Sequence, residues 1–244
     1  MANLEPRWPF GLTSKSWPDA AKAVVLVLFV LVFFDAWISR TLQAWPEIWR
    51  APFAFITDFG LSDWILIPAL AIFVLAWIAA RLPLGRYRLA IRELSLLSGF
   101  IFVGVGLPGL MANLTKRLIG RARPEHFPDV GAFHFQPVLN DWSFQSFPSG
   151  HSTTAVGFAV IVGFMAPRYF RLVLFIAVMT GFSRVVIGMH YPTDVVAGFL
   201  LGGLGAYAVR NVFAHRGWLF AVRSDSGVRF RGFPHLRRLL RGRA

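Results

Sequence analysis

The chain has 244 residues, of which 56% are hydrophobic, 16% aromatic and only 15% charged. A soluble domain carries about 25% charged residues, so an ordinary soluble fold is excluded; with no cysteine in the chain, disulfides and thiol chemistry are excluded as well. The net charge of +13 would point to nucleic acid in a soluble protein, but here the cations cluster at the ends of apolar runs. That is the pattern of topology signals and anionic-headgroup contacts, and no nucleic-acid partner is expected.

Residues 1–20 are polar and read as a short cytoplasmic lead. A first span is predicted over residues 21–38. Its apolar run is too long for a secretory h-region, so it reads as a retained helix. Asp35, near its outer end, reads as a carboxylate reaching the membrane interface. Trp45, Pro46, Trp49 and Pro52 form a loop suited to headgroup depth. A second span covers residues 61–80. Arg81, Arg86, Arg88 and Arg92 follow and place their connection in the cytoplasm by the positive-inside rule.

A third span over residues 94–114 runs outward and delivers Lys116. Residues 117–147 are too aromatic for a disordered linker and read as an interfacial lid. The fourth span begins at Ser149 or Gly150 and ends near residue 166. After a basic turn at Pro167, Arg168 and Arg171, the fifth covers residues 172–188. Pro192 opens the sixth, since proline is tolerated in a helix's first turn. The expected fold is all-α, a polytopic membrane protein with six transmembrane helices. Residues 1–214 form the membrane domain. Residues 215–244 form a basic cytoplasmic tail with eight arginines between Arg216 and Arg243. Both termini fall inside.

Three polar clusters interrupt the apolar runs. The first is Lys116 to Pro124, reading K-x6-R-P. The second is Pro148-Ser149-Gly150-His151. The third runs from Ser183 and Arg184 through His190 to Asp194, reading S-R-x5-H-x3-D. The predicted topology puts all three at the outer membrane–water interface. Transfer of a phosphoryl group needs cations on its oxygens, an in-line nucleophile and an acid for the leaving oxygen. Lys116, Arg123 and Arg184 supply the cations. Ser149 and Gly150 open a helix whose free N–H groups suit an anion. Asp194 is placed to hold one tautomer of His190, leaving its second ring nitrogen as nucleophile. His151 suits the general acid. Arg117 and Arg121 are open between a second phosphate contact and loop solvation.

These clusters resemble the three signature motifs of the type 2 phosphatidic acid phosphatase superfamily, with every signature position filled. The resemblance implies a nucleophilic His190 with Asp194 as partner and His151 as acid. It also implies phosphate binding by Lys116, Arg123, Ser149, Gly150 and Arg184. No cofactor or metal is expected. The resemblance further implies a metal-independent lipid phosphatase of the bacterial inner membrane, facing the periplasm and working through a phosphohistidine. Candidate substrates are phosphatidic acid, phosphatidylglycerol phosphate, undecaprenyl diphosphate and the 1-phosphate of lipid A. The arginine density of residues 117–123 favours lipid A or a diphosphate. A phosphotransferase using the same histidine, and a non-catalytic lipid-binding or transport protein, are the alternatives. The oligomeric state is not set by the sequence.

Overall fold

A computed structural model of the chain describes residues 4–137, 139, 141–223 and 227–240. The fold is a helical bundle. Helices α1 (Trp17–Val32), α2 (Asp35–Gln43), α3 (Glu47–Ile56) and α4 (Asp63–Ala79) precede a long α5 (Arg88–Ile119). After the short α6 (Phe127–Val130) come α7 (Gly150–Met165), α8 (Phe170–Val186) and α9 (Pro192–His215). A hairpin of β1 (Phe220–Val222) and β2 (Val228–Phe230) and a final α10 (Pro234–Leu240) close the chain.

Helix α7 is the hub and packs against α5, α8 and α9. Its Ala159 and Ile161 are fully buried, with Phe100 and Val105 of α5 and Ala206 of α9. Backbones approach closely where α7 crosses α9. A Cβ on Gly202 would lie 2.2 Å from the Thr153 carbonyl oxygen, and one on Gly198 would lie 2.5 Å from that of Ser149. Small residues at such crossings are how membrane helices gain contact where lipid already satisfies apolar side chains. The outer helices are inverted relative to a soluble protein. Val25, Leu26, Phe29, Phe33, Ile67 and Leu75 all stand exposed, an arrangement that only a bilayer stabilises.

Length and apolarity alone account for fewer than the expected six spans. Among the described residues four segments are long and apolar enough to cross a membrane: Glu47–Ala79, Gly85–Ile119, Pro167–Val186 and Pro192–His215. The pair α1 and α2, bent by 54°, makes a fifth if counted as one span. Helix α7, expected as the fourth span, has only 16 residues, short of the ~20 that cross a bilayer unaided. The first expected span also breaks early. The bend after α1 carries Asp35 inward, where it is fully buried instead of reaching the interface.

The all-α expectation misses the β1–β2 hairpin, whose register pairs Phe220 with Phe230 and Val222 with Val228. Phe220 is buried and stacks edge-on against Phe100 and Phe164. Glu93 of α5 accepts the first free N–H groups of α10, from His235 and Leu236. Of the segment read as a basic tail, the β1–β2 hairpin and α10 pack on the bundle, while residues 224–226, Arg241 and Arg243 lie outside the described residues. At the same end, buried Arg210 donates to the carbonyls of Leu4, Pro6 and Arg7 and fixes the polar lead.

Candidate active site

The site forms where α5, α7, α8 and α9 end together. Gly120 terminates α5 in the left-handed region, at φ +64°, and a Cβ there would fall 2.0 Å from the Gln136 carbonyl oxygen. Glycine alone accepts both constraints. The chain then runs extended through residues 121–123. It is held on one side by Ala122 N–H to His134 O and Gln136 N–H to Gly120 O, and on the other by Arg123 N–H to Ser143 O and Ser146 N–H to Arg121 O. Alternate side chains of an extended segment share a face. Arg121 and Arg123 accordingly both reach toward residues 189–194, while Ala122 between them is buried. The described part of the expected interfacial lid is thus tied to residues 120–123 by backbone hydrogen bonds.

Helix α7 begins with Ser149 as its N-cap, the hydroxyl oxygen accepting from Ser152 N–H at 3.4 Å and Ser152 Oγ at 2.9 Å. One part of the expectation is corrected here. The Ser149 N–H donates to the Asp194 carbonyl at 2.9 Å and is not available to an anion. The free donors of the helix start are those of Gly150 and His151. Lys116 closes in over this turn, its Nζ 3.4 Å from where a Cβ of Gly150 would stand.

Helix α8 delivers Arg184, which is buried and donates from Nη1 to Thr57 Oγ1 at 2.7 Å. Arg123 is buried too, packed beneath the exposed Trp142 ring at 4.8 Å. Among the described residues neither Arg123 Nε nor Arg184 Nε has a hydrogen-bond partner. A buried donor left unmet costs about 1–3 kcal/mol, more for a charged group. These cations are therefore arranged for an anion. His151 lies among them, within the fields of Arg184, His190, Lys116 and Arg123.

His190 is 1% exposed and Asp194 fully buried. Asp194 Oδ2 accepts from Ser146 Oγ at 2.5 Å and from Tyr191 N–H at 2.8 Å, and Oδ1 accepts from Arg121 Nη1 at 2.6 Å. His190 Nδ1 faces Asp194 Oδ2 at 3.6 Å, outside hydrogen-bond reach. Such contacts are often long in the absence of a ligand and tighten when one is bound. Burial drives the His190 pKa down to about 3, with Asp194 opposing and Arg123 and Arg184 reinforcing the shift. The imidazole is therefore neutral near pH 7, with Nε2 turned away from the carboxylate.

The structure brings together all eight residues that the motifs single out. Sequence reasoning missed Thr57, Ser146 and Asp35, which support them from other segments. It also left Arg121 open between two roles, and the structure gives it a third. Arg121 is 3% exposed and all its donors face protein acceptors, whereas Arg117 is exposed. The arginine density of residues 117–123 thus offers no free Arg121 to a headgroup. Among the described residues no group of three or more His, Asp or Glu side chains is placed to hold a metal ion.

Comparison with known proteins follows the same lines. The PAP2 superfamily pattern matches residues 96–218, half of the chain. A lipid A 1-phosphatase of Rhizobium johnstonii is 35% identical over 246 residues, covering 98% of this chain and 97% of its own. A lipid A 1-phosphatase of Rhizobium etli is 37% identical, covering 87% of this chain and 89% of its own. The phosphatidylglycerophosphatase B of Bacillus subtilis is 32% identical over only 43% of this chain and 53% of its own. The crystal structure of a transmembrane PAP2-type phosphatidylglycerolphosphate phosphatase from Bacillus subtilis superposes with a TM-score of 0.50. It has 23% identity and covers 79% of this chain and 95% of that one, a likeness of fold. Family pattern, near-full-length relatives and shared fold agree: this chain belongs to the PAP2 superfamily and is one of its membrane-embedded phosphoric monoester hydrolases.

Proposed function

We propose that the chain is a metal-independent lipid A 1-phosphatase of the bacterial inner membrane. The observation that carries the phosphatase chemistry is the set of buried cations with unused donors around two histidines. Lys116, Arg123, Arg184 and the N–H groups of Gly150 and His151 hold the three non-transferring oxygens. His190 Nε2 attacks phosphorus in line. The phosphate monoanion passes its proton to His151 on binding, His151 gives it to the leaving sugar oxygen, and the P–O bond breaks as the P–N bond forms. Water then attacks the phosphohistidine with His151 as base, releasing inorganic phosphate and restoring His190. Arginines suit this work because their donors bind phosphate oxygens in pairs.

The choice of lipid rests on the two Rhizobium proteins, which match this chain almost end to end. In this reading the bundle crosses the membrane six times, α7 being a short span supported on every side by protein. Residues 1–214 are the catalytic unit, and residues 215–244 lie at the cytoplasmic face. Arg81, Arg86, Arg88 and Arg92 are exposed at one end of α5 and Lys116 stands at the other. With the arginine end in the cytoplasm, the site faces the periplasm.

The test is mass spectrometry of bisphosphorylated lipid A after incubation with purified enzyme. Loss of one phosphate, from the 1-position only, is expected. The phosphate should be released faster from lipid A than from phosphatidic acid, phosphatidylglycerol phosphate or undecaprenyl diphosphate at equal concentration. Preference for one of those three would assign a different lipid to the same site. Transfer of the phosphate to an added lipid or sugar instead of water would make the enzyme a transferase.

A further inference from the structure

Arg121 and Asp35 lie outside the phosphate-binding set, yet they form the most completely satisfied buried ion cluster described in the chain. Arg121 Nη1 donates to Asp194 Oδ1 at 2.6 Å and to Thr193 Oγ1 at 2.8 Å. Its Nη2 donates to Asp35 Oδ2 at 2.8 Å and to the Ala132 carbonyl at 3.2 Å, and Nε to the same carbonyl at 3.3 Å. These five contacts use all five N–H donors of a guanidinium. The plane also lies over the Tyr191 ring, 4.4 Å from its centroid. Asp35 in turn accepts the Thr193 backbone N–H at 2.9 Å and the Thr193 hydroxyl. It therefore caps the start of α9, the helix that carries Asp194. Arg121 thus joins the carboxylates of two segments distant in sequence, Asp35 and Asp194.

We propose that Arg121, held in place by Asp35, is the positioning residue that fixes Asp194 for His190 and balances its charge. The proposal rests on the reading of His190 as nucleophile. Its physical content is twofold. Arg121 pins Oδ1, so that Oδ2 is the oxygen presented to His190. It also places a fixed positive charge against Asp194, which limits how strongly that carboxylate can hold a proton on the imidazole. The other groups facing His190 are Arg184 from α8, Arg123 from the extended segment, His151 from α7 and, across the site, Lys116 from α5. All of them but His151 are cations, so among the described residues Asp194 is the anion that faces His190.

The experiment compares R121Q, R121K, D35N and H190A with wild type, measuring kcat and KM for lipid phosphate hydrolysis against pH in proteoliposomes, with apparent Tm as the check on folding. For R121Q, kcat falls about 10-fold to 100-fold, the range seen when a group orienting a functional ligand is removed, while KM stays within about 3-fold. Its acid limb moves to higher pH because the unbalanced Asp194 holds the proton on His190. R121K restores the charge but has too few donors to bridge both carboxylates. Its acid limb therefore returns to the wild-type position while kcat stays low. D35N lowers kcat less than R121Q and does not raise the acid limb.

If R121Q does not fold, R121K and D35N decide the matter. Folded R121K and D35N enzymes with wild-type kcat and pH profile, alongside an inactive H190A, would overturn the proposal and leave the nucleophile standing. A rise in KM with kcat unchanged would also overturn it, since it would mean that Arg121 meets the substrate. Full activity in H190A would remove the reading on which the proposal depends.

Discussion

His190 is a buried neutral base held between one carboxylate and several cations, and that environment has a cost that pH can expose. In the unfolded chain an imidazole binds a proton near pH 6.5, whereas burial holds the folded group down at about 3. Between those values the unfolded state binds more protons. His190 therefore costs no stability above pH 6.5 and progressively more as pH falls toward 3. The full effect is roughly 5 kcal/mol at 1.36 kcal/mol per pKa unit. The apparent Tm of the wild type should fall as pH is lowered from 7 to 4, and that of H190Q, which has no imidazole to protonate, should fall less. Equal slopes for the two proteins would show that His190 is not held neutral by burial.

At the same scale, legibility was uneven. The eight motif residues were readable because their chemistry and spacing are local. Asp35, Thr57 and Ser146 carry no local signature, since each meets its partner across more than 40 residues of sequence. Asp35 did give a signal, as an acid inside an apolar run, and such residues mark functional sites by default. It was read as interfacial because the 54° bend that turns it inward is invisible in a continuous apolar stretch. Arg121 could have been found from its spacing. Two residues before Arg123 in extended backbone, it shares that side chain's face.

At the scale of elements, the crossing of α7 and α9 holds the site together. Ser149, Gly150 and His151 start one helix, Asp194 the other, and Ser149 N–H to Asp194 O ties the two starts. Gly202→Val should force the helices apart, because its first side-chain carbon already needs the space of the Thr153 carbonyl oxygen. The expected cost is about 1–3 kcal/mol of stability with a larger loss of activity than Tm alone explains. Gly203→Ala is the control, since its Cβ would meet Val156 at an ordinary 3.7 Å. A folded G202V enzyme with wild-type kcat would contradict this account of the crossing. Which glycine of α9 meets a neighbouring backbone is not legible, because the sequence shows no helix phase. The β1–β2 hairpin was missed for a different reason. Its strands are three residues each, and the arginines around them dominated the reading of that stretch.

At the scale of the whole molecule, the long α5 sets the geometry. Its 32 residues span about 48 Å, more than the ~30 Å of a bilayer's hydrocarbon. One end therefore holds Arg88 and Arg92 outside the apolar layer while the other holds Lys116 beyond it on the far side. The chain has no cysteine, so single introduced cysteines report sidedness without background. In intact cells, Phe133→Cys, exposed in the loop beside the site, should react with a membrane-impermeant maleimide from the periplasmic side. Arg86→Cys should react only after the membrane is opened. Labelling in the opposite sense would turn the site toward the cytoplasm. The membrane character and the placement of the three motifs at one end were legible from hydropathy and charge. Length alone does not give the number of crossings, because a 16-residue helix enclosed by protein satisfies no simple length rule.

The central claim is that a buried histidine, without metal, carries the phosphoryl group. The most direct measurement is inorganic phosphate release from a lipid phosphate in detergent with excess EDTA, for wild type and for H190A purified in parallel. The account predicts release by the wild type that EDTA leaves unchanged, and a loss on the order of 1,000-fold or more in H190A, as expected when a nucleophile is removed. Release by a folded H190A at the wild-type rate, or wild-type release abolished by EDTA and restored by a divalent cation, would contradict it.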